Sequence, residues 1–307
     1  MRNRMTTIDG HEYLDQLSTE QINPRTTDLD RLDTLGILER LNDEDQHVAT
    51  AVRAALAPLT QAVDVALERW RRGGRVVLFG AGTSGRLALL DAAELGPTYG
   101  VPPGRYLARL AGGPEAMHIA IEDAEDDWAA GEAAASDLTE RDVAFGLSAS
   151  GRTPWVMGVL AAARRGGAAT IALACVPEPE LAAHADTVIA VNTGPEAVSG
   201  STRMKAGTAQ KLVLNAFSTT LMVRLGKVYG NLMVDVQVTN LKLRRRAARL
   251  IQQATGVDAA TAERAFDEAD GDVKAAIAGL RLQIPMRTAR DLLARAEGNL
   301  RSALGET

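Results

Sequence analysis

The sequence has almost no cysteine, no long apolar run, no excess of positive charge and no histidine cluster. Cys175 is the single thiol in 307 residues, which excludes a disulfide framework within the chain and a cysteine-rich zinc site. It lies in the apolar run IALAC and reads as a buried structural thiol. No stretch approaches 18 uncharged apolar residues, so no membrane-spanning helix is expected. Residues 1–25 are polar and lack the apolar segment of a secretory signal, so a cytoplasmic protein is expected. Lys and Arg number 34 against 39 Asp and Glu, a net charge of −5. That balance argues against a nucleic-acid-binding body, whose footprint is basic. An anionic ligand is still open to such a chain, because backbone N–H groups can build a phosphate site. His11, His47, His118 and His184 are scattered without metal-ligand spacing, so neither a metal nor any other cofactor is expected.

What is present is an ordinary globular balance, 46% hydrophobic and 24% charged, and that excludes extensive disorder. The length allows roughly two domains of about 150 residues each. Three regions separate by pattern. Residues 1–65 form an N-terminal arm and helices, with an extended stretch, TEQINPRTTDLDRLD, at 19–33. Asn42 or Asp43 is placed to cap a long helix whose apolar face runs Val48, Val52, Ala55, Leu59, Val63, Leu67 and Trp70, with Pro58 as a kink. Residues 66–229 alternate apolar runs with helical patterns. The runs begin at Arg75, Arg105, Asp142, Ala169 and Asp186. Runs of this kind suit strands buried on both faces. Their alternation with helices predicts an α/β fold, a parallel sheet flanked by helices on both faces. Residues 230–307 read as a small C-terminal helical bundle of three helices, with Arg244, Arg245 and Arg246 on a solvated helix face or at a helix end.

In such sheets a ligand sits at the carboxyl ends of the strands. Three loops there are rich in glycine and hydroxyls. Gly80-Ala81-Gly82-Thr83-Ser84-Gly85 matches G-x-G-x-x-G. However, the second apolar run ends in Leu110-Ala111-Gly112-Gly113, with no carboxylate to hold a ribose. The same loop serves a smaller anion, with Gly82 letting the backbone approach and Thr83 and Ser84 donating at a helix N-terminus. Ser148-Ala149-Ser150-Gly151-Arg152-Thr153-Pro154 repeats the chemistry, with Ser148, Ser150, Gly151 and Thr153 as candidate phosphate contacts and Pro154 in a first helical turn. A third loop, Ser199 to Thr208, offers Ser199, Ser201 and the cation of Lys205. Hydroxyls with one or two cations fit a phosphate of about −1.5 to −2 charges at pH 7. A nucleoside triphosphate would need a P-loop lysine pattern, which is missing.

The strings GAGTSGR, SASGRTP and SGSTRMKAGTAQKLVLN resemble the sugar-isomerase (SIS) domain family of phosphosugar-binding proteins. STEQINP, LNDED, LDAAELGPTYG, AIEDAEDD and GKVYGNLMVDVQVTNLKL narrow the resemblance to its etherase branch, over about residues 18–280. The resemblance implies a SIS-like, Rossmann-like sheet, N-acetylmuramic acid 6-phosphate as the substrate, and cleavage of that sugar's lactyl ether to N-acetylglucosamine 6-phosphate and D-lactate. An unactivated ether resists hydrolysis, so the implied route is elimination of lactate from the ring-opened sugar followed by water addition, with no cofactor. It requires a base for the carbon 2 proton and an acid for the ether oxygen, each contributing about 10²–10⁴-fold. By the family pattern Glu94, in DAAEL, matches the acid, and Glu125, in IEDAEDD on an expected helix, matches the second catalytic carboxylate. An acid at pH 7 needs burial or a neighbouring carboxylate. The family usually has a serine where Ala93 stands and a glycine where Asp123 stands. A homodimer is implied, with no nucleic-acid or membrane partner. Two other readings stay open: a phosphosugar-sensing regulatory protein that binds without turnover, and a phosphosugar isomerase that shares the carbon 2 base but needs no acid at carbon 3.

Overall fold

The computed structural model describes residues 18–238 and 240–306. Residues 1–17 of the expected arm, His11 among them, lie outside the described residues. The chain divides into two compact units: the described residues up to Asp91 with Leu107–Phe217, and Ala92–Tyr106 with the described residues from Ser218 onward. The expected arm thus groups with the sheet.

In the first unit, α1 (Thr34–Ala54) starts where the Asp33 carboxylate accepts the Gly36 N–H at 2.8 Å, an N-cap that satisfies an otherwise orphaned donor. The helix therefore begins well before the expected cap at Asn42 or Asp43. α1 ends at Ala55, and α2 (Leu56–Arg71) follows at once. Pro58 is the third residue of α2, inside the first turn, where a missing N–H breaks no bond. One kinked helix is thus two, and the break precedes the proline. Leu59, Ala62, Val63, Ala66 and Leu67 form the buried face of α2.

The sheet contains β1 (Val76–Gly80), β2 (Tyr106–Leu110), β3 (Val143–Ser148), β4 (Ala169–Ala174) and β5 (Thr187–Ala190), in the order β2-β1-β3-β4-β5. The five apolar runs of the sequence are these five strands. β1, β3 and β4 are buried at every residue, as strands covered on both faces must be. β1/β3, β3/β4 and β4/β5 pair in parallel, with Val76 opposite Val143 and Val143 opposite Ala169. Side chains alternate between the faces. On one face Val77, Phe79 and Ala144 meet Trp155, Val156 and Leu160 of α5 (Pro154–Arg165), the Phe79 and Trp155 rings 6.1 Å apart. On the other, Phe145 stands edge-on to Phe217 of α6 (Lys205–Arg224) at 4.9 Å. α3 (Gly82–Tyr99) follows β1, and α4 (Trp128–Ala134) precedes β3. Cys175 is wholly buried, and its thiol is pushed up by burial and by Glu196.

The helix expected from Met117 to Ser136 is only α4. Residues 118–127 are irregular, and Asp123 sits at φ +61°. The acidic run competes for backbone donors: Asp127 caps α4 by accepting the Ala130 N–H at 2.9 Å. Glu125 consequently lies on a turn before a helix rather than on one.

The second unit has a short antiparallel pair, β6 (Val228–Tyr229) and β7 (Leu232–Met233), and then five helices rather than the three expected: α7 (Leu241–Thr255), α8 (Ala259–Glu268), α9 (Val273–Leu282), α10 (Met286–Arg295) and α11 (Leu300–Ala303). Each of α7, α8, α9 and α11 opens on an Asn or Asp cap. Ile251, Phe266, Ile277, Leu293 and Leu300 form its core. Arg244, Arg245 and Arg246 are exposed on α7, a solvated face as expected. No described helix is long and apolar enough to cross a membrane.

Candidate active site

The chain leaves β1 outward to β2 and returns to β3, so the strand order reverses between β1 and β3. Open α/β sheets bind ligands at that switch point, beyond the strands' carboxyl ends. A cavity of about 320 Å³ opens there, lined by Gly82, Thr83, Ser84, Ser150, Thr153, Arg152, Thr202, Glu125, Asp126 and Glu20. Six of the twelve residues singled out from the sequence therefore meet in one place: Gly82, Thr83, Ser84, Ser150, Thr153 and Glu125. A second cavity of about 430 Å³ shares Ala81, Gly82, Glu125 and Asp126 with the first and extends to Arg86.

The first loop is tight because two glycines touch. A Cβ on Gly85 would stand 2.5 Å from the Gly80 oxygen, and one on Gly80 2.7 Å from the Gly85 nitrogen. Only glycine at both positions lets α3 start directly above β1, with its first N–H groups at the cavity. Ser84 lines the cavity although most of it is buried, and its hydroxyl donates to Gln210 Oε1 of α6 at 2.9 Å. Gln210 Nε2 is buried without a hydrogen-bond partner. Turning the amide over lets Nε2 donate to Ser84 and frees the Ser84 proton for a phosphate oxygen.

The second loop supports itself. Ser148 does not line the cavity; its buried hydroxyl bonds Thr153 Oγ1 at 2.8 Å, approaches Ser150 Oγ at 3.4 Å and accepts the Gly151 N–H at 3.0 Å. It shapes the loop that presents Ser150 and Thr153. Gly151 is likewise absent from the lining. Arg152 brings the cation to the cavity, paired with Glu180 at 3.2 Å.

Lys205 corrects the reading of the third loop. Its side chain is 2% exposed and donates to Glu44 Oε2 at 2.7 Å, while its own N–H and that of Ala206 donate to the buried Glu196 carboxylate, both at 2.9 Å. Burial raises the Glu196 carboxyl, opposed by those two N–H groups. Glu44 also takes Arg25 Nε, Arg25 Nη2 at 2.9 Å and Asn23 Nδ2 at 2.7 Å. The Arg25 hydrogen bond above all, against burial and aided by Lys205 and Asn23, lowers Glu44 to about 2. Lys205 is thus the centre of a structural ion pair. Ser199 is exposed and donates to the Glu20 carbonyl. Ser201 is half-buried and absent from the lining, and Thr202 takes the cavity position.

Glu125 is exposed at the cavity edge, and its carbonyl accepts the Trp155 N–H at 2.9 Å, which ties its turn to the start of α5. Glu94 is exposed on α3, about 18 Å along the helix from Gly82 at 1.5 Å per residue. It is not among the residues lining either cavity. Glu20, Asp126, Arg152 and Thr202 line the cavity but are not among the twelve residues singled out; Arg152 and Thr202 lie inside the hydroxyl-rich strings of the second and third loops, and Glu20 and Asp126 inside STEQINP and AIEDAEDD.

The chain is 50% identical over 293 residues to the curated N-acetylmuramic acid 6-phosphate etherases of Yersinia pestis (strain Pestoides F) and of Yersinia pseudotuberculosis (serotype O:1b), matches that cover 95% of this chain and 99% of each relative. It belongs to the N-acetylmuramic acid 6-phosphate etherase family. Family profiles agree in architecture: a SIS domain matches residues 112–220, the N-terminal SIS domain of glucokinase regulatory protein matches 58–164, and the C-terminal lid domain of that protein matches 230–270. Among solved structures, a phosphoheptose isomerase from Francisella tularensis aligns at TM-score 0.47 and 16% identity, over 61% of this chain and 98% of that one. A phosphoheptose isomerase from Neisseria gonorrhoeae aligns at TM-score 0.43 and 20% identity, over 60% and 99%.

Proposed function

We propose that the chain is a carbon–oxygen lyase that cleaves the lactyl ether of N-acetylmuramic acid 6-phosphate, giving N-acetylglucosamine 6-phosphate and D-lactate. The observation that carries this reading is the cavity itself. Hydroxyls from two strand-end loops, the first turn of α3 and the Arg152 cation surround one volume together with the Glu125 carboxylate, in a chain half identical to etherases along nearly its whole length.

The phosphate accepts from Ser84, Ser150, Thr153 and the N–H groups of α3. Glu125 takes the carbon 2 proton of the ring-opened sugar, the carbon 3–oxygen bond breaks, and Glu94 protonates the departing lactate oxygen. Water then adds at carbon 3. Glu94 is exposed in the single chain and lines neither cavity, whereas a proton donor must stand within hydrogen-bond reach of the leaving oxygen, so the donor to a sugar held at Glu125 is the Glu94 of a second copy of the chain, in keeping with a homodimer. Glu94→Gln is expected to lower turnover by about 10²–10⁴-fold with phosphosugar affinity retained. Enzymatic assay of D-lactate reads this out; unchanged turnover removes Glu94 from the acid role.

The matches to a regulatory protein's domains favour one second reading, a phosphosugar sensor. It predicts binding of the sugar phosphate in a calorimetric titration without any release of lactate.

A further inference from the structure

STEQINP, residues 18–24, is a motif for which the phosphate loops and the two glutamates give no use. In the structure it runs against the third loop. The Gly200 N–H donates to the Thr19 carbonyl at 3.3 Å, and Ser199 Oγ donates to the Glu20 carbonyl at 2.9 Å. Further along, Asn23 Nδ2 reaches the Pro195 carbonyl at 3.3 Å and Thr26 Oγ1 the Ala197 carbonyl at 2.8 Å. The buried Glu44–Lys205 pair, joined by Asn23 and Arg25, locks the far end. This fixed backbone carries the Glu20 side chain to the cavity wall. The carboxylate passes close over Gly200: a Cβ there would stand 2.8 Å from Glu20 Oε2, and Gly200 adopts φ +73°. The loop thus leaves room for that carboxylate.

We propose that Glu20 is a specificity residue of the site, accepting hydrogen bonds from the hydroxyl or amide N–H groups of the bound phosphosugar. The inference rests on the phosphosugar reading of the cavity. Two like charges at contact distance repel strongly in a partly desolvated cavity. Glu20 therefore does not contact the phosphate, which belongs to the hydroxyl loops and Arg152. What is left for it is the uncharged body of the sugar, whose hydroxyl and N-acetyl groups are donors matched to a carboxylate acceptor. In this role Glu20 rejects ligands that present a second anion or an apolar group at its position.

The test is steady-state lactate release from N-acetylmuramic acid 6-phosphate by full-length wild type, Glu20→Ala and Glu20→Gln, with inorganic phosphate as competitive inhibitor. Loss of a charge-assisted hydrogen bond weakens binding by about 10- to 150-fold. Glu20→Ala is expected to raise KM in that range, Glu20→Gln by less, with kcat within threefold and phosphate inhibition unchanged or tighter. Three results overturn the proposal: KM within twofold of wild type in both variants, KM and the phosphate inhibition constant rising together, or kcat falling by more than 10²-fold at constant KM. The second shows a loosened arm, and the third a group acting on the reacting atoms. If Glu20→Ala fails to fold, the isosteric Glu20→Gln alone decides by the same readouts. If wild type releases no lactate, the lyase reading fails by itself, and calorimetric titration of N-acetylmuramic acid 6-phosphate into wild type and variants still decides the part of Glu20.

Discussion

The two glycine- and hydroxyl-rich loops proposed to hold phosphate are supported differently. The loop after β3 is held from within: Ser148 gathers Thr153, Ser150 and the Gly151 N–H inside six residues. The loop after β1 has glycines pressed together at its base but borrows the partner of Ser84 from Gln210, 126 residues away. The third loop borrows still more, since the Lys205 side chain serves Glu44 and the N-terminal arm. A self-supported loop keeps its shape through local bonds. A borrowed one makes the cavity depend on distant elements being in place.

This contrast predicts a graded series. The largest effect on stability is expected for Glu44→Ala, which strands a buried lysine; breaking such a pair costs about 3–5 kcal/mol, measured by urea unfolding at pH 7. The pH dependence has a definite sign. Glu44 is lowered from 4.5 to about 2 in the folded chain, so its contribution is fully present above pH 4.5 and is lost as pH falls toward 2. The stability gap between wild type and Glu44→Gln should close over that window; a gap that stays constant would break the account of the Glu44–Lys205 pair. Next is Ser150→Ala, expected to weaken phosphate binding by about 1.5–3 kcal/mol with little change in unfolding midpoint. Equal affinities in a calorimetric titration would discard the loop's role. Gln210→Leu is expected to cost about 1 kcal/mol of phosphate affinity and to make the double variant with Ser84→Ala lose less than the sum of the two single losses. Additive losses would separate Ser84 from Gln210. The smallest effect is Asp123→Gly, which relieves a left-handed residue worth about 1 kcal/mol and should raise the midpoint by a few degrees at most.

The same contrast explains what could be read from the sequence. All five strands stood out because each is an unbroken apolar run, and five of the six cavity residues because they lie in glycine- and hydroxyl-rich strings directly after strands. The break at Ala55 was hidden because the apolar spacing continues through it, and Pro58 drew the boundary to itself. The sequence predicts a helix at Glu125 because an acidic run with alanines has helical propensity, whereas Asp127 capping and the turn at Asp123 end that pattern first. The resemblance already carried the clue, a glycine in the family where Asp123 stands. Lys205 looked like a ligand cation because its buried partner, Glu44, is 161 residues earlier. STEQINP marks Glu20's segment but not its role for the same reason: its place at the cavity follows from bonds to residues 195–200, which no local pattern reveals.

The Glu44–Lys205 pair also sets a clock. During synthesis at about 5–20 residues per second, Glu44 is made roughly 8–30 s before the lysine that neutralises it. Until α6 emerges, the arm has no anchor on that side and Glu20 no place at the cavity. The nascent chain therefore becomes competent to hold ligand only after about two thirds of its length has left the ribosome, when α6 supplies both that lysine and the Phe217 side of the sheet.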